Sequence, residues 1–407
     1  MLTGKHILLG ITGGIAAYKT ANLASMLVKL HADVHVIMTK NAQRIISPTV
    51  FEALTGNKVI DDVFDRDSGY QVAHIEMAKQ ADAVMIAPSS ANMIAKLAHG
   101  IADDMLSTTM LAVRAPVYIV PAMNTRMYEH PATRENMEKL QCFGYHLVEP
   151  ASGMLACGDT GKGKMPEADE LLEYLIYACA FDKDLTGKKV LVTAGPTQEA
   201  MDPVRYITNH STGKMGYALA KNAARRGAEV VLVTGPVNLR TPLFVEAVPV
   251  VTAQQMYEAV DAHFDGQDIV IMSAAVADYR PAHIASEKMK KTEGQNVVEL
   301  ERTKDILGSM SQRKKHQFLC GFSMETEHLL ENSRKKLEKK NLDLIAANSL
   351  RMEGAGFGTD TNIITLITKN ETQQLPQMSK DEAAAVIIDR ILELRALSQN
   401  RNQIKSE

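Results

Sequence analysis

Two stretches of the chain share one rhythm of apolar and polar positions. In "KHILLGITGGIAAYKTANLASMLVKLHADVHVIMT" (5–39) a short β-branched apolar run meets a glycine turn. A segment follows whose apolar residues recur every three or four positions, and then a second apolar run. That pattern predicts strand, turn, amphipathic helix, strand. "KKVLVTAGPT" (188–197) with "GKMGYALAKNAARRGAEVVLVTGP" (213–236) reads the same way around a longer insertion. Further strand-like runs occupy 81–90 and 115–124 in the first half, and 267–279, 316–325, 342–349 and 362–368 in the second. Strands alternating with helices imply parallel sheets joined by right-handed crossovers. The expected fold class is α/β, with two doubly wound parallel-sheet (Rossmann-like) domains. The break falls near "ACAFDKDLTGKK" (178–189), which gives domains 1–182 and 183–407.

Composition narrows the function classes. At 407 residues the chain is too long for one ordinary core. A net charge of −3 gives no reason to expect nucleic acid or a membrane surface as partner. No apolar run reaches the roughly 18 residues of a membrane span. The opening residues lack the apolar run and cleavage site of a secretory leader. The four cysteines, Cys142, Cys157, Cys179 and Cys320, form no C-x-x-C. They fit a reducing, cytoplasmic setting better than a disulfide framework or a cysteine zinc site.

Open parallel sheets bind ligands beyond the carboxyl ends of their strands. The residues there are Thr12-Gly13-Gly14, Ser89-Ser90, Asn124, Asp278 and Asn348. Gly13 and Gly14 open a helix whose free amides suit a phosphate, although a plain tight turn accounts for them equally well. Ser89, Ser90 and Asn92 could contact a ligand or simply cap the next helix. Asn124 stands between Pro121 and Pro131, and an Asn side chain recognises amides and carboxylates. His74 begins a helix, where the dipole favours a neutral imidazole; a lone His is more often structural. "GDTGKGKM" (158–165) is one letter short of a phosphate-binding G-x-x-x-x-G-K-[ST] loop, because Met165 replaces the hydroxyl residue.

Taken together, T-G-G-I-A-A-Y-K, A-H-I-E, A-P-S-S-A-N, P-A-M-N-T-R-M-Y and A-C-G-D-T-G-K-G-K-M resemble the flavin-dependent cysteine decarboxylase family. They keep family order across residues 1–180. The resemblance implies that family's fold and an FMN cofactor contacted by Gly13, Gly14, Ser89, Asn92 and Ser107. It makes "LACGDTGKGKM" a substrate-covering flap rather than a P-loop. It assigns proton donation to Cys157, the substrate carboxylate to Asn124, and help at the thiol to His74. Loss of CO₂ from a cysteine carboxylate leaves an unstable carbanion unless the thiol is first oxidised, and oxidation is what a flavin supplies. One position departs: Asp103 stands where the family usually has Asn.

In the second half, "NHSTGKMG" precedes an amphipathic helix, and "SAAVADY" ends a strand in small residues. The lysine runs 286–291 and 333–344 read first as solvated faces. Beside small strand ends they also suit a triphosphate. The strings T-A-G-P-T-Q-E, D-P-V-R-Y-I-T-N-H-S-T-G-K-M-G, A-A-V-A-D-Y, E-K-M-K-K and K-N-L-D resemble the phosphopantothenate–cysteine ligase family over roughly 188–370. That resemblance implies CTP contacts at Ser273, Ala274, Asp278, Lys288, Asp305, Ile306, Phe322, Lys336 and Lys340; by its place after a strand, Asp278 could bind a ribose or a metal such as Mg²⁺. The resemblance assigns Asn209 to the acyl-nucleotide intermediate. "RTKDIL" departs from N-P-D-I at Thr303 and Lys304.

The order of the two resemblances implies a bifunctional chain of coenzyme A biosynthesis. The ligase half would join 4′-phosphopantothenate to cysteine, and the first half would decarboxylate the resulting 4′-phosphopantothenoylcysteine. It also implies trimeric flavin domains, dimeric ligase domains and a homo-oligomer as large as a dodecamer. Two other readings compete. One is a flavin-binding regulatory protein without catalysis, which the presence of His74, Asn124 and Cys157 disfavours. The other is an NAD-type oxidoreductase, which would need a G-x-G-x-x-G turn that neither half contains.

Overall fold

The computed structural model describes residues 1–64, 72–155, 158–290, 297–325, 328–349, 356 and 358–406, without the side chains of residues 325, 349 and 399–406. The chain divides into two units, Met1–Asp182 and Lys183–Glu407.

In the first unit, β1 (His6–Ile11), β2 (Asp33–Met38), β3 (Ala83–Ser89), β4 (Val117–Pro121) and β5 (His146–Leu147) form a parallel sheet in the order β2-β1-β3-β4-β5. The period-2 alternation of a strand serves both faces. Ile7, Leu9 and Ile11 pack with Leu23 and Leu27 of helix Ala17–Lys29 and Leu171 of helix Ala168–Cys179. Leu8 turns to the other face, with Met77, Ile94 and Leu106. Each fully buried side chain of this kind contributes about 1.5–3 kcal/mol. Gly10 keeps Leu106 close, since a Cβ there would lie 2.7 Å from Leu106 Cδ1. Strand order reverses between β1 and β3, so their carboxyl ends open a crevice. A two-stranded antiparallel hairpin, β6 (Ala151–Met154) and β7 (Thr160–Lys164), completes the unit.

The second unit begins with β8 (Lys189–Ala194) and a small antiparallel pair, β9 (Gln198–Ala200) and β10 (Tyr206–Thr208). Then come β11 (Glu229–Thr234), β12 (Val245–Pro249) and β13 (Ile269–Met272), and an antiparallel arm of β14 (Tyr279–Pro281) and β15 (Leu300–Arg302). Last are β16 (Phe318–Glu325), β17 (Leu344–Ser349), β18 (Thr361–Asn362), β19 (Ile364–Ile367), β20 (Thr372–Gln374) and β21 (Met378–Ser379). The main sheet runs β12-β11-β8-β13-β16-β17-β19-β20. Its first six strands are parallel and doubly wound, with the reversal between β8 and β13. The last two are antiparallel, which departs from a purely parallel sheet. For β19 and β20 the physical reason is connection length: only residues 368–371 join them, enough for a hairpin and too few for a parallel crossover. Val190 and Val192 face Leu219 and Ile387, while Leu191 faces Met256, Phe264 and Met310. No helix among the described residues is long and apolar enough to cross a membrane.

Candidate functional site

The crevice of the first unit is a cleft of about 490 Å³ at the carboxyl ends of β1 and β3. Gly13 and Asn92 line it, together with Thr12, Ser90, Asn41 and Lys96. Thr12 ties its two walls: its Oγ1 donates to Pro88 O at 2.8 Å and accepts from Ser90 N at 2.9 Å. The glycines are a matter of room. A Cβ on Gly13 would lie 2.6 Å from Asn41 Cβ, and one on Gly14 3.2 Å from Pro88 Cγ. Helix Ala17–Lys29 starts with no side-chain cap and no acidic residue in its first turn, which leaves its amino end open to an anion. Ser90 caps helix Ala91–His99 through Met93 N, so both readings of that serine meet at the cleft wall.

The other first-half residues are less uniform. Ser89 is buried at the end of β3 with an Oγ that has no partner among the described residues. Ser107 is also buried, but its hydroxyl closes a capping box with Asp104, at 2.9 Å from Oδ1. His74 sits in the first turn of helix Ala73–Gln80 with Nδ1 buried and unpartnered among the described residues, and it does not line the cleft. Cys157 lies outside the described residues.

The hairpin settles the P-loop question. A P-loop needs its glycines between a strand and a helix start. Here Thr160–Lys164 is itself extended, and Met165 is buried in the core. The hairpin sits on the loop after β4. Met123 N donates to Gly163 O at 3.1 Å, and Asn124 Nδ2 donates to Asp159 Oδ2 at 2.7 Å. Asn124 Oδ1 caps the next helix through Arg126 N. The Asn and the flap therefore touch directly.

A second cleft, of about 440 Å³, opens in the second unit near the carboxyl ends of β13 and β16. Ala274 and Asp278 reach it from β13, Asp305 and Ile306 from the start of helix Ile306–Arg313, Phe322 from β16, and Lys336 and Lys340 from the end of helix Leu329–Lys339. Lys340 Nζ lies 2.8 Å from Asp305 Oδ1, and Lys336 Nζ donates to Phe322 O at 2.7 Å. Burial pushes the Asp305 carboxyl up, but Lys340 and the Gly308 amide outweigh it and hold it below the usual carboxylate range. The Asp278 carboxylate makes no hydrogen bond or ion pair among the described residues. An oxygen donor free to face phosphates suits Mg²⁺, which keeps waters and takes one or two carboxylates. Ser273 does not line the cleft; its Oγ donates to Thr193 O at 2.6 Å behind it. Asn209 Nδ2 donates to Ala275 O at 3.0 Å and Val276 O at 3.2 Å, which fixes the loop carrying Ala274 and Val276. Lys288 is exposed on the arm between β14 and β15 and lies outside the lining.

Sequence reasoning missed Thr193 and Arg302 in the second cleft and Asn41, Asp61 and Lys96 in the first, while Thr303 and Lys304, the two positions that depart from the ligase pattern, do line the second cleft. Thr193 lies one residue before the end of β8, a strand the sequence predicts, whereas Arg302 ends β15, which no apolar run announces. Asp103 is paired in this fold: Lys96 Nζ lies 2.6 Å from Asp103 and 2.8 Å from Asp104. Lys304 stands over the Tyr257 ring at 4.5 Å, a cation–π contact no sequence spacing announces.

Residues 1–179 match the family model described as Flavoprotein. Residues 185–394 match the model described as DNA/pantothenate metabolism flavoprotein C-terminal domain. The chain is 47% identical to the Coenzyme A biosynthesis bifunctional protein CoaBC of Bacillus subtilis (strain 168), over 99% of this chain and 100% of that protein. It is 44% identical to the protein of the same name from Haemophilus influenzae (strain ATCC 51907 / DSM 11121 / KW20 / Rd), over 96% of this chain and 98% of that one. A crystal structure of the C-terminal domain of Coenzyme A biosynthesis bifunctional protein CoaBC shares 47% identity, with coverage of 52% here and 98% there and a TM-score of 0.45.

Proposed function

Because the chain belongs to the family of bifunctional coenzyme A biosynthesis proteins CoaBC, we propose a division of labour. Residues 183–407 join 4′-phosphopantothenate to cysteine with CTP. Residues 1–182 decarboxylate the 4′-phosphopantothenoylcysteine so formed, with FMN as the flavin. The chain is an enzyme with decarboxylase and phosphopantothenate–cysteine ligase activities, and it uses a flavin. The regulatory alternative without catalysis is not favoured.

The observation that carries the nucleotide site is convergence. Ala274, Asp278, Asp305, Ile306, Phe322, Lys336 and Lys340 come from separate stretches of sequence and line one cleft. In that cleft Lys336 and Lys340 offset phosphate charge, and Asp278 supplies an oxygen for Mg²⁺. The pantothenate carboxylate attacks the α-phosphate of CTP, giving an acyl-cytidylate and pyrophosphate. The cysteine amine then attacks the acyl carbon and releases CMP. Asn209 acts here by fixing the loop at 275–276 against which the intermediate lies. Lys288 belongs to this proposal as a residue brought in by the arm.

In the flavin unit the bound cofactor supplies oxidation of the substrate thiol and later return of the hydride. Gly13, Gly14 and the uncapped helix end receive its phosphate, Asn92 lines the same cleft, and the orphan hydroxyl of Ser89 gains a partner. Ser107 supports the wall through Asp104. Asn124 holds the substrate carboxylate, and Cys157 delivers the final proton from the flap. His74 lies off the cleft lining of its own chain. A trimer with the site between subunits brings it in, and exposed Ile15, Tyr18 and Leu111 supply apolar surface for such contacts. Dimeric ligase units and a cytoplasmic location belong to the same proposal.

The test is product analysis by mass from 4′-phosphopantothenate, cysteine and either CTP or ATP, with absorbance of the purified protein. CTP should yield 4′-phosphopantetheine, CMP and pyrophosphate from a yellow protein. Equal turnover with ATP would remove the CTP assignment, and a colourless protein would remove the flavin site.

A further inference from the structure

At the amino ends of β1 and β2, at the opposite end of the strands from the cleft of the same unit, three metal-ligating side chains gather. His6 and Asp33 are register partners in the parallel pair, and His35 lies two residues further along β2. All three therefore leave the sheet on one face. Asp33 Oδ2 lies 2.9 Å from His6 Nδ1 and 3.2 Å from His35 Nε2. The three donor atoms are all within 4.8 Å of one another. Asn57 Nδ2 donates to Asp33 Oδ1 at 2.8 Å and to Val34 O at 2.9 Å, which leaves the other carboxylate oxygen towards both rings. Asp82 is engaged elsewhere, with His6 N at 2.8 Å and Lys5 at 3.6 Å.

The geometry points to a binding site for a divalent ion of the zinc class on His6 Nδ1, Asp33 Oδ2 and His35 Nε2, with water as fourth ligand. Two imidazoles and one carboxylate match zinc and its borderline neighbours, not Mg²⁺ or Ca²⁺. Bonds of about 2.0–2.2 Å set tetrahedral ligand atoms roughly 3.3–3.5 Å apart. The oxygen–nitrogen separations here need to widen by only a few tenths of an ångström. Each ring ligates through a nitrogen that carries no proton, with the other ring nitrogen free to hold one. Asn57 orients the carboxylate, as partners of metal ligands commonly do. The site lies roughly 17 Å along β1 from the flavin cleft. The ion would tie β1 to β2 and stabilise the sheet without entering either reaction. No cysteine or histidine spacing reveals it, because its ligands meet only through strand pairing.

The experiment uses the full chain with its flavin, stripped of metal by a chelator and titrated with Zn²⁺ by calorimetry, beside His6→Asn and His35→Gln. Melting without zinc checks that each variant folds. The wild type should bind one equivalent at micromolar zinc that both variants lack. Its melting point should rise with zinc while theirs does not. Asn57→Ala should bind about tenfold more weakly. Decarboxylase and ligase turnover should be unchanged in the two histidine variants. Equal zinc stoichiometry and affinity in the wild type and both folded variants would overturn the site, as would a wild type that binds no zinc in this range.

Discussion

Gly163 measures how closely the hairpin lies on the loop it covers. Its φ is +138°, a conformation L side chains rarely adopt, and a Cβ there would sit 2.2 Å from Met123 O. Gly163→Ala therefore forces the hairpin off the loop that carries Asn124, and overpacking of this kind costs about 1–3 kcal/mol. Borne by the productive position of the hairpin, a cost of that size corresponds to a fall in decarboxylation of roughly fivefold to over a hundredfold, since each 1.36 kcal/mol is about tenfold in rate. Flavin absorbance and ligase turnover should persist. Measuring CO₂ release beside pyrophosphate release checks this, and normal CO₂ release would mean that the hairpin is not part of the site. Residue-level chemistry also explains Met165: its side chain fills the core, so a Ser or Thr there would bury a hydroxyl among apolar neighbours.

Between residues and the whole lies the arm of β14 and β15, which carries Lys288. Asp202 ties it down. Its carboxylate accepts from Arg205, from the Val204 and Arg205 amides, and from Met289 N at 3.2 Å. Arg205 in turn donates to Met289 O at 2.8 Å. The Arg205 guanidinium, with those amides, holds the Asp202 carboxyl well below the usual carboxylate range. A depressed folded value makes the tether present above the unfolded carboxylate value of about 3.9 and lost as pH falls below it. Proteolysis of the arm should thus be flat from about pH 5 to 9 and speed up only in acid below about pH 4. Asp202→Asn should expose the arm to protease at neutral pH and raise the KM for nucleotide. If protection is unchanged in that variant, the tether does not hold the arm.

At the scale of the molecule, each unit has its own sheet and its own pair of cores. Ligands should therefore stabilise one unit at a time. CTP with Mg²⁺ at about 100 times its Kd adds roughly 2.7 kcal/mol to the unit that binds it. Calorimetry should show two transitions, of which nucleotide shifts one and flavin removal lowers the other. A single transition that moves with both ligands would contradict independent units.

Strands β1–β4, β8, β11, β13, β16, β17 and β19, the alternation that buries both of their faces, and the site strings at their carboxyl ends were legible in the sequence, because period-2 and period-3.6 patterns and glycine turns are local; the short strands of the hairpin, the arm and the sheet margins were not. Thr12, Gly13, Asp278 and Asn124 could be found from strand ends alone. The two antiparallel edge strands could not, since strand direction depends on how the chain returns to the sheet. Nor could the pairing of Asn124 with Asp159, of Lys340 with Asp305, or of His6 with Asp33. Each joins residues far apart in the chain, and only folding sets the distance between them. The sequence by itself determined which residue types stand at which strand ends. The tertiary structure decided which of them share a cleft, which cap a helix instead, as Ser107 does, and which lie away from the cleft of their own chain, as His74 does.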